Sequence, residues 1–283
     1  MTNVIVLSLN SFLTKKLVIF CQEKKIKFNF AFITTDKSAI KENVYSYENL
    51  KKVAYEMSKG FIINFAGINV FKTLFSPYPM FIKNYLIWKS RIDFTRKLIN
   101  ILGPKAHDFV FVIPSAVWIY SKYLEKYFSE WENVVKPYNH LIFRLGIVLS
   151  HDSQWVQIIG NALKNGIFPY FPKSFVFPFI CVNEFLNLLV NSLTNFSNSS
   201  VFDCYKLTYF NDFISLVKEI HGYKKIRFSI NPLITNLFLK LFFGNYGKVF
   251  DSMNLNTKNY VGIEEVKKCF ISQQKMNTNI TRY

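Results

Sequence analysis

The chain has 283 residues, half of them hydrophobic, which excludes a disordered protein and leaves room for one large α/β domain with a smaller lobe. Its net charge is +17, yet only five of the 35 basic residues are arginine, the side chain suited to bidentate phosphate and base recognition. The lysine pairs, such as Lys15-Lys16, Lys51-Lys52 and Lys224-Lys225, are short and scattered, so a solvated basic surface is expected and no specific nucleic-acid partner. Cys21, Cys181, Cys204 and Cys269 form no CxxC pair, and His107, His140, His151 and His221 have no HxxxH spacing. A reducing compartment is therefore expected, with neither a disulfide framework nor a metal site.

The chain begins with an apolar run, Val4 to Ser8, read as a buried strand, followed by an amphipathic helix over Ser11 to Lys25. No glycine occurs before Gly60, so this strand, turn and helix lack the small residues that let a backbone approach a pyrophosphate. Further strands are predicted at Phe28 to Thr34, Phe61 to Phe65, Phe109 to Ile113 and His140 to Leu149, with helices at Tyr47 to Lys59, Asn84 to Leu102 and Tyr123 to Val135. This alternation is that of a parallel sheet covered by helices. After Leu149 a helix is expected from Ser153 to Lys164. The Pro-containing stretch Phe168 to Pro178 reads as loop or edge strand, and a helix follows from Asn183 to Leu193. The polar linker Thr194 to Ser200 precedes a strand at Val201 to Tyr205 and helices at Asn211 to His221, Pro232 to Phe243 and Gly262 to Ser272. No signal-peptide pattern and no apolar stretch of bilayer length is present, so a cytoplasmic protein without a transmembrane segment is expected.

Several short motifs follow the predicted strand ends, where open parallel sheets bind ligands. They are Asn64-Phe65-Ala66-Gly67, Ser90-Arg91-Ile92 with Thr95 and Leu98, Ser115-Ala116-Val117-Trp118-Ile119-Tyr120, Trp131-Glu132, and Arg144-Leu145-Gly146-Ile147-Val148-Leu149. Phe179-Ile180-Cys181-Val182-Asn183-Glu184 and Tyr209-Phe210-Asn211-Asp212-Phe213 come later. In this order the chain resembles the epimerase family of atypical short-chain dehydrogenase/reductases over nearly its whole length.

The resemblance implies a Rossmann-like, doubly wound parallel α/β sheet over residues 1–195 and a small C-terminal α+β lobe over 196–283. It also implies NADP or NAD as cofactor and an unknown small-molecule substrate. The family's glycine-rich turn falls on Ser8 to Thr14, with Ser8, Ser11 and Thr14 in place of its glycines. The implied cofactor contacts are Ser8, Asn10, Ser11, Phe12, Leu13, Thr34, Thr35, Asn64, Phe65, Ala66, Gly67 and Arg91. No arginine stands near Thr34-Thr35 to grip a 2′-phosphate, whereas Asp36, facing the ribose, would favour NAD. On the catalytic side the resemblance puts Ser115 against the reacting oxygen. Tyr123 and Lys126, at i and i+3, are the candidate acid-base pair on the helix that follows. The stretch from Tyr120 to Trp131 is shorter than the family pattern. A catalytically inactive relative acting as a binding or scaffold protein is therefore the alternative reading.

Overall fold

Val4, Ile5, Val6 and Leu7 are wholly buried in strand β1, Thr2–Leu7, because a strand covered on both faces must be apolar at consecutive positions. Buried apolar runs also make β4 (Gly60–Asn64), β5 (Phe109–Ile113) and β6 (His140–Leu145), while β2 (Phe28–Thr34) buries Ala31 and Ile33 and exposes Asn29; the three-residue β3 (Val44–Ser46) and β10 (Ser200–Cys204) stand at the two edges. In the computed structural model, which describes residues 1–40, 42–67, 73, 78–117, 125–169, 176–220, 228–230 and 259–270, these strands form one seven-stranded sheet in the order β10-β6-β5-β4-β1-β2-β3. The pairings from β3 across to β6 are all parallel, with Val4 beside Phe30 on one side and Phe61 on the other. The chain winds outward from β1 through β2 to β3, then returns to β4. The carboxyl ends of β1 and β4 therefore flank the point where the order reverses, which is the ligand crevice of a doubly wound sheet.

Helices Phe12–Glu23, Leu50–Met57, Met80–Trp88, Phe94–Leu102 and Glu125–Val135 connect these strands. A π-helical turn, Lys89–Asp93, joins the third to the fourth, where an unbroken helix is predicted. Hydrophobic periodicity does not reveal one inserted residue, which is all such a turn needs. The chain divides into two compact units. The first comprises Met1–Ile119, Glu125–Arg144 and Leu186–Asp203 and carries the large sheet.

The second unit includes Leu145–Phe185 and the described residues from Cys204 onward. It contains β7 (Ile147–Leu149), β9 (Val176–Cys181) and β11 (Lys206–Tyr209) as a three-stranded sheet, and β8 (Ile167–Pro169) paired with β12 (Phe228–Ile230). Helices Gln154–Lys164, Phe210–Ile220 and 263–270 lie in this unit, and Val182–Thr194 starts in it. The strand predicted over His140 to Leu149 breaks at Gly146. A Cβ there would lie 2.7 Å from the Phe179 nitrogen, so only glycine allows β9 to approach this closely.

Two expectations are corrected in this unit. Pro178 lies in β9, the central strand of its sheet, rather than in a loop or edge strand. The ladder to β7 begins only at Phe179, so the missing proline N–H falls outside it. Cys181 and Cys269, expected as separate thiols, are joined in a disulfide across 88 residues of sequence. No spacing rule marks a pair that distant. Cys21 and Cys204 remain buried thiols, and burial pushes the Cys21 thiol up to about 11. The helix expected at Pro232 to Phe243 lies outside the described residues. No described helix is long and apolar enough to cross a membrane.

Candidate active site

The turn after β1 has no glycine, yet one of its residues takes a backbone conformation that glycine favours. Ser8 takes φ +74°, the left-handed region that glycine enters freely and that costs other residues roughly 1–2 kcal/mol. Its N–H donates to the Ile33 carbonyl of β2 at 3.0 Å, which holds the turn in that conformation. Ser11 caps the following helix: its Oγ accepts the Thr14 N–H at 3.1 Å. The Thr14 hydroxyl donates to the Ser8 carbonyl at 2.8 Å, so the 2.7 Å contact between the two hydroxyls must carry the Ser11 proton to Thr14. The three residues standing for glycines thus satisfy one another. What the turn can offer a phosphate is the Ser8 hydroxyl and the N–H groups of Phe12 and Leu13, which have no acceptor within the helix. Asn10 is exposed on the same turn.

At the end of β2, Thr34 is buried and accepts the Asp36 N–H at 3.0 Å, while Thr35 is exposed. The exposed Asp36 carboxylate accepts from the Ser38 hydroxyl at 2.6 Å and its N–H at 3.0 Å, which holds its pKa below the usual carboxylate value.

At the end of β4 the side chain of Asn64 accepts the Ala66 N–H at 3.1 Å and donates to Thr95 Oγ1 at 3.0 Å. Thr95 Oγ1 also accepts from Trp131 Nε1 at 2.9 Å and donates to the Arg91 carbonyl at 2.6 Å, within the π-helical turn. One hydroxyl thus uses its proton and both lone pairs to tie β4 to two helices. The Arg91 guanidinium lies over the Trp131 ring, 5.6 Å from its centroid. At Gly67, φ +154°, a Cβ would stand 3.4 Å from the Arg91 guanidinium carbon, in van der Waals contact with it. Burial lowers the Arg91 pKa to about 10, which leaves it charged at neutral pH. Phe65 is buried beside this cluster in sequence, and Ala66 is half-buried.

A second network follows β5. Ser115, 1% exposed, donates to Glu132 Oε1 at 2.8 Å, and Glu132 is equally buried. Arg144 on β6 grips the same carboxylate bidentately, Nε to Oε1 at 2.9 Å and Nη2 to Oε2 at 2.8 Å, and lies 3.7 Å from Asp203. The Ser115 proton is therefore held by Glu132, and toward any other group the hydroxyl presents lone pairs. Lys126 is exposed on the helix Glu125–Val135, and Tyr123 lies outside the described residues. Sequence reasoning noted Thr95, Glu132 and Arg144 as motif letters but did not foresee that they organise the two networks. Only Arg144 gave a signal, as a charged residue within the apolar run of β6. A surface groove lined by Arg96, Asn100, Glu130, Asn133 and Tyr138 shares no residue with the expected cofactor contacts.

No protein-family model matches the chain, and no curated protein sequence does. Solved structures do. A human epimerase family protein crystallised with NADPH superposes with a TM-score of 0.67 at 13% identity, over 88% of each chain. A dTDP-4-dehydrorhamnose reductase from Clostridium acetobutylicum gives 0.61 at 13% identity, over 81% of this chain and 84% of that one. The UDP-glucose 4-epimerase of Thermus thermophilus, solved with NAD, gives 0.55 at 13% identity, over 84% and 93%. Likeness at these identities establishes architecture: the chain has a Rossmann-like α/β fold, as the sequence motifs led us to expect.

Proposed function

We propose that this protein is an NAD(P)-binding oxidoreductase of the epimerase/dehydratase type acting on a small molecule, with sugar nucleotides as the first substrates to try. The observation that carries the reading is Ser8 at φ +74° where β1 meets the sheet's switch point. A strained conformation held without glycine at this position fits a site that still needs the phosphate-binding turn. The residues fit a dinucleotide. The Phe12 and Leu13 N–H groups and the Ser8 hydroxyl suit its diphosphate, and the Arg91 cation adds charge at the end of β4. Asp36, ionised and exposed at the end of β2, repels a 2′-phosphate and can accept from a 2′-hydroxyl, so NAD is the favoured form. The bound nicotinamide would supply the hydride chemistry. Ser115, its proton held by Glu132, would accept a hydrogen bond from a substrate hydroxyl and so serve the direction in which an alcohol is oxidised.

Thermal denaturation of the full chain with NADH and NADPH tests the reading. A rise in Tm with NADH that exceeds the rise with NADPH is expected; no rise with either at millimolar concentration removes it. The alternative, a catalytically inactive relative that binds without turnover, is favoured by the near-complete burial of Ser115. Binding of NADH by a protein that transfers no hydride with any sugar nucleotide tried would support that alternative.

A further inference from the structure

We infer that the Cys181–Cys269 disulfide is a redox-operated latch that holds the helix 263–270 against the second unit's sheet. The described span of that helix is eight residues, a length that depends on tertiary anchors to persist in water. Among the described residues its noncovalent anchors are side-chain packing, one backbone hydrogen bond and ion pairs that include Lys267 to Glu219 at 2.9 Å. Val266, Cys269 and Phe270 are buried, and the Phe270 ring packs 6.5 Å from that of Phe213. Val261 N–H donates to the Leu207 carbonyl at 2.9 Å just before the helix begins. Lys206 on β11 bridges Glu184 and Glu265, the latter at 3.4 Å, but all three side chains are between a quarter and a half exposed, and exposed ion pairs hold little. The bond to Cys181, at the end of β9, is covalent, so neither solvent nor salt weakens it.

Cys181 is 7% and Cys269 1% exposed, so a thiolate reaches either sulfur only when the helix lifts. Opening and reduction are therefore coupled. Two equivalents of a small thiol break the S–S bond and form two cysteine S–H groups, while the thiols leave as their own disulfide. The reduced helix keeps three buried side chains and its ion pairs, and its detachment takes the Phe270 ring away from Phe213 on the helix Phe210–Ile220. Cys21 lies in the other unit and takes no part, since burial keeps its thiol protonated at neutral pH.

The test compares air-oxidised and dithiothreitol-reduced full-length protein by disulfide mapping and by hydrogen exchange. The oxidised sample is expected to yield a peptide joining 181 to 269. Amides of 263–270 should exchange at least tenfold faster after reduction, with β1 unchanged. C269S should match the reduced wild type without added thiol, and C21S should match the oxidised one. Both residues alkylated after denaturation of the oxidised sample, or equal exchange of 263–270 in both states, would overturn the latch. If C269S does not fold, the reduced wild type gives the same comparison, with β1 protection as its internal control.

Discussion

The two halves of the crevice have solved opposite problems. At the end of β1 the residues that resemblance leads one to expect are gone, yet the geometry stays: Ser8 holds a glycine's φ, and Ser11 and Thr14 satisfy the turn from within. Beyond β4 and β5 the expected letters are present, yet they are turned toward one another. Asn64, Thr95, Trp131 and Arg91 form one network and Ser115, Glu132 and Arg144 another. A motif can thus survive as packing while its partner site survives as backbone. Letters alone misjudge both, since a missing glycine overstates the loss and a retained serine overstates what its hydroxyl can still donate.

If the second half is a structural network, cutting it should cost far more stability than altering the turn. The largest effect is expected from Glu132→Ala, which strands the Arg144 charge and the Ser115 hydroxyl. Urea denaturation should show a loss of about 3–5 kcal/mol, and a loss below 1 kcal/mol would break the contrast. Thr95→Val keeps the shape but leaves the Asn64 amide and the Trp131 indole N–H without their acceptor. A loss on the order of 2 kcal/mol is expected in the same assay.

Ser8→Gly moves the other way. Relief of the left-handed strain, set against the greater chain entropy of glycine, leaves a change within about 1 kcal/mol, with tighter NADH binding. Weaker NADH binding would mean that the serine hydroxyl matters more than the backbone.

The smallest effect concerns Asp36. Its hydrogen bonds to Ser38 depress its folded-state pKa below 3.8. Asp36 is the N-cap of the 3-10 turn Lys37–Ala39, and the contribution of this cap is therefore full above that value and fades as pH falls through the lower, folded one. An NMR titration of the Ser38 amide should inflect below pH 3.8; an inflection at or above it would remove the cap.

How legible this was depended on how local each feature is. Phe109–Ile113 was readable to the residue because a buried parallel strand is a continuous apolar run, and Phe28–Thr34 because its run is broken only at the exposed Asn29. Val44–Ser46 was not, since three residues between polar neighbours carry no period to detect. The π-helical turn at Arg91 was hidden because it displaces the helical stripe by a single residue. Ser115 and Glu132 are 17 residues apart and Cys181 and Cys269 are 88 apart, and no pattern in one sequence links residues at such distances. The residues of the two networks were therefore visible as motif letters, while the direction of each hydrogen bond between them was not.

The central claim is that the altered turn and the Arg91 cation still make a dinucleotide site. Calorimetric titration of NADH into the wild type and into Arg91→Ala tests it most directly. The account expects saturable binding by the wild type and affinity at least tenfold weaker in the variant. No binding by the wild type, or equal affinity in both, would contradict it.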